Sequence, residues 1–198
     1  MRRVTEQELQ LPGGLNADVD DKLRAIVLSV RSDGLIRANE EMTAWMRGER
    51  SMPFGHNNEH VPVRLIDLDD LSQNQYIVTQ QYTYRAGPTE RRADLVLLVN
   101  GLPLVLIEAK TPVKKCISWV DGAVQVHDDY EKFVPELFVC NVFSVATEGK
   151  AYHYGSIGLP VKDSAFPSRT SAGPPPMAVV TPFKSGVVAV ETFSTSPT

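Results

Sequence analysis

The feature that most constrains the fold is a pair of apolar segments, Arg92–Val99 and Leu102–Lys110, joined by Asn100-Gly101. Both segments are rich in Val, Leu and Ile, as is typical of buried strands. Asn-Gly between two such segments is the strongest short-range signal for a β-hairpin, because both residues tolerate positive φ. The sequence therefore predicts an antiparallel hairpin near the middle of the chain.

Further helices and strands are predicted around this hairpin. Apolar residues at helical spacing predict helices, and short apolar runs bounded by turn residues predict strands. The predicted helices are Asp20–Arg31, Asn39–Arg47 and Ile117–Lys132, with Asn39 as the N-cap of the second. The predicted strands outside the hairpin are Val63–Leu68, Tyr76–Tyr84, Leu137–Thr147 and Ala151–Tyr154. Residues 48–62, rich in Gly, Pro, Asn and His, are predicted to form a loop.

The character of the chain changes after residue 160. Five prolines lie between Pro167 and Pro182, and the end is rich in Ser and Thr. A segment of this kind has little apolar surface to bury. We therefore predict one domain over residues 1–160 and a poorly ordered tail over 161–198, with one short strand at Val187–Val190.

Composition excludes several classes of protein. Of the 198 residues, 42% are hydrophobic and 22% are charged, and this apolar content argues against global disorder. The net charge of -4 argues against a general polyanion binder. Two cysteines, Cys116 and Cys140, are too few for a disulfide framework. The first residues are polar, and no apolar run approaches the ~20 residues of a membrane span. We expect a cytoplasmic protein with no signal peptide and no membrane contact.

Positive charge is concentrated in residues 85–115, which hold six basic and three acidic residues, a net charge of +3. Five of the basic residues are candidates for contact with DNA phosphates: Arg85, Arg91, Arg92, Lys114 and Lys115. Contacts with phosphates fix position on DNA and carry no sequence information. The predicted DNA contact is therefore local and without sequence preference.

Three charged residues interrupt the apolar hairpin: Asp94 on the first strand, and Glu108 and Lys110 at the end of the second. Charges in such strands are costly unless they have partners or a function. Residues two apart on a strand share a face, so Glu108 and Lys110 point the same way. Carboxylates are the oxygen ligands that Mg²⁺ prefers, and a nearby ammonium can stabilise charge on a phosphate. The pattern predicts a divalent-metal site for phosphodiester hydrolysis.

This site depends on the register of the hairpin. A strict two-residue turn would pair Val99 with Leu102 and place Asp94 opposite Ile107, so that Glu108 would face away from Asp94. A three-residue connection ending in a bulge would pair Val99 with Pro103 instead, and Asp94 with Glu108. We therefore predict a bulged three-residue turn, Asn100-Gly101-Leu102.

The residues around the site form several blocks of recognisable sequence. They are Val63-Arg-Leu-Ile-Asp-Leu68, Asn74-Gln-Tyr-Ile-Val-Thr-Gln-Gln-Tyr82, Arg92-Ala-Asp-Leu-Val-Leu-Leu-Val-Asn-Gly-Leu-Pro-Leu-Val-Leu-Ile-Glu-Ala-Lys110, Pro135-Glu-Leu-Phe138 and Tyr154-Gly155. Together with the Asp-(x13)-Glu-x-Lys spacing of the PD-(D/E)xK nuclease superfamily, they resemble the N-terminal nuclease domain of the R (restriction and motor) subunit of type I restriction–modification enzymes. The resemblance covers residues 34–160.

The resemblance implies an α/β fold of the restriction-endonuclease type, a mixed and mostly antiparallel sheet flanked by helices. It implies Mg²⁺-dependent endonucleolytic cleavage of double-stranded DNA, with Asp94 and Glu108 as metal ligands and Lys110 as the catalytic lysine. The implied partners are modification and specificity subunits, the latter choosing the DNA sequence. The R subunit of that family continues into an ATP-driven motor. This chain has no Gly-x-x-x-x-Gly-Lys-Ser/Thr loop, so we expect it to bind no ATP and to be a fragment of a longer subunit or a truncated product.

The resemblance also suggests accessory residues. The family carries a Gln-x-x-x-Tyr pair on the helix after the hairpin, and the nearest match here is Gln125 and Tyr130, with one extra residue between them. In an α-helix this spacing would place the two side chains about 140° apart. Glu40, in the predicted first turn of the second helix, could add an acidic group near the metal or simply stabilise the helix N-terminus.

Two alternatives are left open by the sequence. The chain could be a non-catalytic module that docks onto DNA or onto a partner, with its nuclease site misassembled. The shifted Gln125 and Tyr130 spacing, the missing motor loop and the acidic net charge would suggest this. Separately, His56-Asn-Asn-Glu-His60 matches a zinc-peptidase pattern, but that chemistry requires a helix. The neighbouring Gly55 and Pro62 favour a surface loop instead.

Overall fold

The computed structural model describes residues 15–54, 57–111, 118–149 and 152–158. The predicted tail 161–198, with its strand Val187–Val190, therefore lies outside the described residues. The same is true of Lys114, Lys115, Cys116 and His56.

A mixed five-stranded sheet forms the centre of the fold. Its strands are β3 (Tyr76–Ala86), β4 (Thr89–Val99), β5 (Leu102–Ala109), β6 (Phe143–Thr147) and β7 (Tyr152–Gly155), in that spatial order. Neighbouring strands are antiparallel, except that β5 and β6 are parallel. This parallel pair needs a crossover, and the helix after the hairpin lies within it. The predicted α/β architecture is confirmed.

Helices flank the sheet. They are α1 (Leu15–Asp33), α2 (Leu35–Met46), α3 (Trp119–Val124), a π-helical segment (Gln125–Tyr130) and α4 (Glu131–Phe133). Helices α1 and α2 pack on each other and on a short 3₁₀ helix, Pro135–Phe138, while α3 packs on β5, β6 and β7. None of the described helices combines the length and the apolar character needed to cross a bilayer.

Two apolar clusters hold these layers together. One joins α1 and α2 to residues 63–66 and includes Val19, Met42 and Val63, each fully buried. The other fills the space between the sheet and the helix after the hairpin and includes Val96, Val126 and Phe138. The second cluster fixes the helix over the part of the sheet that carries Asp94 and Glu108.

Several predicted elements were wrong in detail. Asn39 is not an N-cap: α2 begins at Leu35, after Gly34 with φ of 87°, and the Asn39 amide donates to the carbonyls of Phe138, Val139 and Asn141. The predicted loop at 48–62 contains a hairpin, β1 (Ser51–Phe54) paired with β2 (Glu59–Pro62). Its strands are largely exposed, so they lack the apolar alternation that signals a strand.

One further predicted strand was wrong, and another was confirmed only over its second half. Residues 63–68 are irregular, although Val63 and Leu65 are buried. The alternation of apolar residues here indicated burial, but it did not show that the segment pairs with another strand. The segment predicted as strand Leu137–Thr147 begins as the 3₁₀ helix Pro135–Phe138 and becomes a strand only at Phe143. Pro135 at the first position of the 3₁₀ helix favours this helical turn.

The hairpin reaches the expected register by a different route. Asn100 and Gly101, with φ of 50° and 82°, form a two-residue turn that pairs Val99 with Leu102, so the predicted three-residue turn was wrong. The register then shifts by one residue, because Leu97 pairs with Val105 and Leu104 is left over as a bulge. The Leu104 carbonyl instead accepts from the backbone N–H of Val142 at 2.8 Å. Beyond the bulge, Leu95 pairs with Ile107, which brings Asp94 opposite Glu108.

Candidate active site

Asp94 lies in the middle of the sheet, held from the strands on both sides. Its Oδ2 accepts from the backbone N–H of Ala109 on β5 at 2.9 Å. Its Oδ1 accepts from the side-chain amide of Gln81 on β3 at 3.1 Å. The register places Gln81, Asp94 and Glu108 in one row across the sheet, so the Asp94 and Glu108 side chains share a face.

Glu108 is the charged residue most deeply buried near this row, with 3% of its surface exposed. Its Oε1 accepts from the Lys110 ammonium at 2.8 Å, whereas its buried Oε2 has no hydrogen-bond partner among the described residues. Burial raises the pKa of the Glu108 carboxyl; the hydrogen bond from Lys110 opposes this increase and the nearby Asp94 carboxylate adds to it. An unpaired buried carboxylate oxygen is costly, and a cation is one group that could satisfy it.

Small residues let the helix approach Glu108. Gly122 of α3 is buried, and a Cβ at this position would lie 3.3 Å from Cβ of Ala146 and 3.5 Å from Cγ of Glu108. Ala146 pairs with Glu108 in the parallel ladder. Glycine weakens a helix, but at position 122 the missing side chain lets α3 approach the site closely.

A relay of hydrogen bonds runs from Lys110 into the helix. Lys110 donates to Oε1 of Gln125, and Nε2 of Gln125 donates to the Tyr130 hydroxyl at 2.5 Å. Tyr130 in turn donates to the carbonyl of Arg92 at 2.8 Å. Burial, together with the charge of Glu108, raises the pKa of Tyr130 to about 12, so the hydroxyl remains a donor at neutral pH.

The extra residue between Gln125 and Tyr130 is absorbed by the helix itself. Residues 125–130 are π-helical, and the N–H of Glu131 bonds to the carbonyl of Val126, five residues earlier. Such i→i+5 bonding brings residues five apart onto one face of the helix. The expectation that these side chains diverge applies to an α-helix and fails here.

The candidate phosphate-binding residues differ in whether their side chains are already held in ion pairs. Arg85 pairs with Glu90, and Arg91 makes a bidentate pair with Asp129 at 2.8 and 2.7 Å. Arg92 is exposed and its side chain has no ion pair among the described residues. Lys114 and Lys115 lie outside the described residues.

Glu40 lies on helix α2, at a different position in the helix from the one predicted. Since α2 begins at Leu35, Glu40 lies in the middle of the helix and not in its first turn, which corrects the prediction. It is exposed, and no hydrogen bond or ion pair joins it to Asp94 or Glu108 in the described part of the chain. His60, from the zinc-like pattern, lies on strand β2 and contacts Ser51, so the helix that this pattern requires is absent there.

Sequence reasoning missed the roles of Gln81 and Gly122. Gln81 could have been found from register: the turn at Gly87-Pro88 pairs Ala86 with Thr89, which places Gln81 opposite Asp94. No local signal identifies Gly122, because its role depends on the distance between helix and sheet.

The arrangement defines the class of the protein: a restriction-endonuclease-like α/β domain, with a mixed sheet, flanking helices and two carboxylates and a lysine gathered near the middle of the sheet. Among the described residues, no group of three or more His, Cys, Asp or Glu side chains is placed to hold a metal ion. In the described part of the chain, the carboxylates gathered at this site are the pair Asp94 and Glu108.

Comparison with known proteins identifies the family. The family model described as "Type I restriction enzyme R protein N terminus" matches residues 5–158, and the chain belongs to this family. Its relatives include the "Type I restriction enzyme HindI endonuclease subunit" of Haemophilus influenzae, 27% identical over 151 residues, which are 75% of this chain and 14% of the relative. The "Putative type I restriction enzyme MjaVIIP endonuclease subunit" of Methanocaldococcus jannaschii is 34% identical over 83 residues, 42% of this chain and 8% of the relative. The chain thus matches only a small part of each relative's length.

Proposed function

We propose that this chain is the nuclease region of a type I restriction enzyme R subunit and that it cleaves double-stranded DNA in a Mg²⁺-dependent reaction. The observation that carries the proposal is the clustering of Asp94, Glu108 and Lys110 on one face of the sheet, with a buried Glu108 oxygen left unpartnered. The family and the names of the relatives, which are endonuclease subunits, support the same reaction class.

The donor set suits a hard divalent cation of the PD-(D/E)xK type. Asp94 and Glu108 would hold Mg²⁺ through carboxylate oxygens, the ligands this ion prefers. The cation, when bound, supplies Lewis acidity toward a phosphate oxygen and lowers the pKa of a bound water. Glu108 Oε2 is the atom with the clearest need for such a partner, because burial separates it from solvent.

The Lys110 ammonium is fixed by hydrogen bonds, and we assign it a role other than metal binding. Its ammonium is fixed between Oε1 of Glu108 and Oε1 of Gln125, and its backbone N–H donates to the carbonyl of Thr147 at 2.7 Å. A cation fixed before the reaction stabilises negative charge that develops on a phosphate without further reorganisation. In this proposal Lys110 orients the attacking water and stabilises the charge on phosphorus-bound oxygens.

DNA would be held through its backbone. Arg92 is the described arginine of the basic segment that is both exposed and without an ion pair, and Lys114 and Lys115 are proposed to extend the same phosphate contact. Such contacts position the duplex without reading its sequence. We propose that the choice of sequence belongs to a specificity subunit, and that the chain acts within a complex of modification and specificity subunits.

The alternative, a docking module with a misassembled site, rested on the spacing of Gln125 and Tyr130, on the missing motor loop and on the acidic net charge. Because the π-helical segment joins these two side chains by a hydrogen bond, the argument from their spacing no longer favours the alternative.

A metal titration tests the proposal. Calorimetry of the 198-residue chain with Mn²⁺ should show binding that Asp94→Ala abolishes. The complete subunit that carries this sequence, assembled with its modification and specificity subunits, should cut plasmid DNA, and its Asp94→Ala variant should not. Cleavage that survives Asp94→Ala would reject the site, and a wild-type chain that binds no Mn²⁺ would favour the docking module.

A further inference from the structure

Gln81 has an unusual backbone conformation for its place in the fold. Three non-glycine residues in the described chain have positive φ: Asn58, Gln81 and Asn100. The two asparagines lie in turns, where Asn tolerates the left-handed region. Gln81, with φ of 53°, lies in the middle of β3. A strained residue within a strand persists only where the surrounding structure fixes it, and such residues concentrate at functional sites.

The strain coincides with the position of Asp94. The ladder between β3 and β4 pairs Gln80 with Leu95 and Tyr82 with Ala93, but it is interrupted at Gln81 and Asp94, which lie between those pairs. In place of a regular backbone pair, the Gln81 amide donates to Oδ1 of Asp94 at 3.1 Å. Gln81 is exposed, so this contact is not explained by packing of the side chain into a core.

The second oxygen of Asp94 is fixed from the opposite strand. The Ala109 N–H donates to Oδ2 at 2.9 Å, so one donor from β3 and one from β5 reach the two oxygens of a single carboxylate. Two donors on different strands remove the freedom of the carboxylate to rotate. Each oxygen keeps a lone pair that neither donor uses.

We infer that Gln81 is a positioning residue that orients the Asp94 carboxylate toward a divalent cation shared with Glu108. The inference rests on the proposed function, because it assigns Gln81 to the site that function requires. Gln81 itself acts through Asp94 and contacts no metal. Groups that orient a metal ligand by hydrogen bonding commonly change metal affinity about 10-fold or more when they are removed.

Two substitutions at Gln81 separate orientation from backbone effects. Gln81→Ala removes the amide and keeps a side chain in the strained conformation. Gln81→Gly removes the amide and relieves the strain, since glycine adopts positive φ freely. Gln80→Ala is the matched control, because Gln80 is also a glutamine of β3, but it pairs with Leu95 and the hydrogen bond to Asp94 comes from Gln81.

The experiment is a calorimetric Mn²⁺ titration of the 198-residue chain, run beside thermal unfolding without metal. We expect both Gln81 variants to bind Mn²⁺ about 10-fold more weakly than wild type. Gln81→Gly should nevertheless melt at or above the wild-type temperature, and Gln80→Ala should match wild type in both measurements. Weaker binding in a more stable protein is a result that a purely structural residue would not produce.

Three results would overturn the inference. Wild-type Mn²⁺ affinity in Gln81→Ala, with binding lost in Asp94→Ala, would reject the role of Gln81 and leave the proposed function standing. Affinity and stability both lost in Gln81→Ala and both restored in Gln81→Gly would show that the residue serves the backbone alone. A wild-type chain without Asp94-dependent Mn²⁺ binding would reject the proposed function, and this inference with it.

Discussion

The side-chain amide of Gln125 donates to the hydroxyl of Tyr130 at 2.5 Å, although five positions separate the two residues. An α-helix would place them about 140° apart around its axis. The π-helical bonding between Glu131 and Val126 changes this geometry and keeps the contact. The relay from Lys110 through Gln125 and Tyr130 to the Arg92 carbonyl therefore depends on one irregular turn of helix.

This dependence predicts the effect of deleting a residue from the turn. Deletion of Asp128, an exposed residue of the π-helical segment, should convert that segment to ordinary α-helix and leave Gln125 and Tyr130 four positions apart, still on one face. We expect a folded chain that retains Mn²⁺ binding, checked by thermal unfolding and calorimetry. Deletion of Ala123 in α3 is the control. It rotates Gly122 away from Gln125 by about 100° and should destabilise the chain strongly. Equal damage from both deletions would contradict the proposed role of the π turn.

The sequence predicted the parts of the site that depend on residue type and periodicity. Apolar runs around Asn100-Gly101 defined the hairpin, and the requirement that Asp94 face Glu108 predicted a one-residue bulge. Its location was wrong, because the bulge lies at Leu104 and not in the turn. A bulge at either place gives the same register at Asp94, so the pattern of residues could not distinguish them.

The features that sequence missed are consequences of tertiary packing. A single π-helical turn is too short for its longer period to show in the apolar pattern, so the turn at 125–130 became visible only through the hydrogen bonds that it makes. Asn39 was assigned to a helix terminus because of its cap propensity. Its true role, bonding three carbonyls of a segment about 100 residues away, is set by the fold.

Removing the Tyr130 hydroxyl should destabilise the fold measurably. Tyr130→Phe deletes a buried group that accepts from Gln125 and donates to the Arg92 carbonyl. Loss of such bonds costs about 1–2 kcal/mol in the free energy of unfolding. Urea unfolding is the measurement. Tyr82→Phe is the control, since Tyr82 lies on β3, is partly buried against the same apolar cluster as Tyr130, and its hydroxyl has no hydrogen-bond partner among the described residues. A Tyr130→Phe variant as stable as Tyr82→Phe would show that the relay contributes nothing to stability.

Two carboxylates on the helix should give opposite pH dependence of stability. Burial raises the pKa of Glu131, so its contribution is present at low pH and is lost as pH rises through the folded-state pKa. Hydrogen bonding to Lys132 lowers the pKa of Asp128, so its contribution is present above the ordinary pKa of Asp and is lost as pH falls.

Melting curves between about pH 3 and pH 7 check these signs. The stability of wild type relative to Glu131→Gln should decrease as pH rises, and its stability relative to Asp128→Asn should increase. Slopes of the same sign for both variants would contradict the assigned environments.

Two neighbouring arginines should differ in DNA binding. Arg92 is exposed and unpaired among the described residues, whereas Arg91 is held by Asp129 and lies over the ring of Phe133, 5.2 Å from its centre. Arg92→Ala should weaken binding to duplexes of any sequence and lower the salt slope by about 1. Arg91→Ala should change DNA affinity much less. Fluorescence anisotropy over a range of NaCl concentrations measures both effects. Tight binding to one particular sequence, with an affinity that does not change with NaCl concentration, would contradict phosphate contact.

Replacing Glu108 and replacing Lys110 should have different effects on Mn²⁺ binding, although both should abolish DNA cleavage. Glu108→Ala removes a proposed metal ligand, so it should weaken Mn²⁺ binding and abolish cleavage by the assembled enzyme. Lys110→Ala removes a positive charge that lies 2.8 Å from Oε1 of Glu108. The two carboxylates then attract a cation with less opposing charge, so Mn²⁺ should bind at least as well as in wild type while cleavage is still lost.

Both variants should stay folded, because the side chains lie at the site and are not part of the two apolar clusters. Calorimetry of the 198-residue chain gives the metal affinity, and plasmid cleavage by the complete subunit with its partner subunits gives the activity. If Lys110→Ala loses as much Mn²⁺ affinity as Glu108→Ala, Lys110 supports metal binding. The roles assigned here, Glu108 as ligand and Lys110 as charge-stabilising lysine, would then be wrong. Cleavage that persists in both variants would mean that the hydrolytic site lies elsewhere.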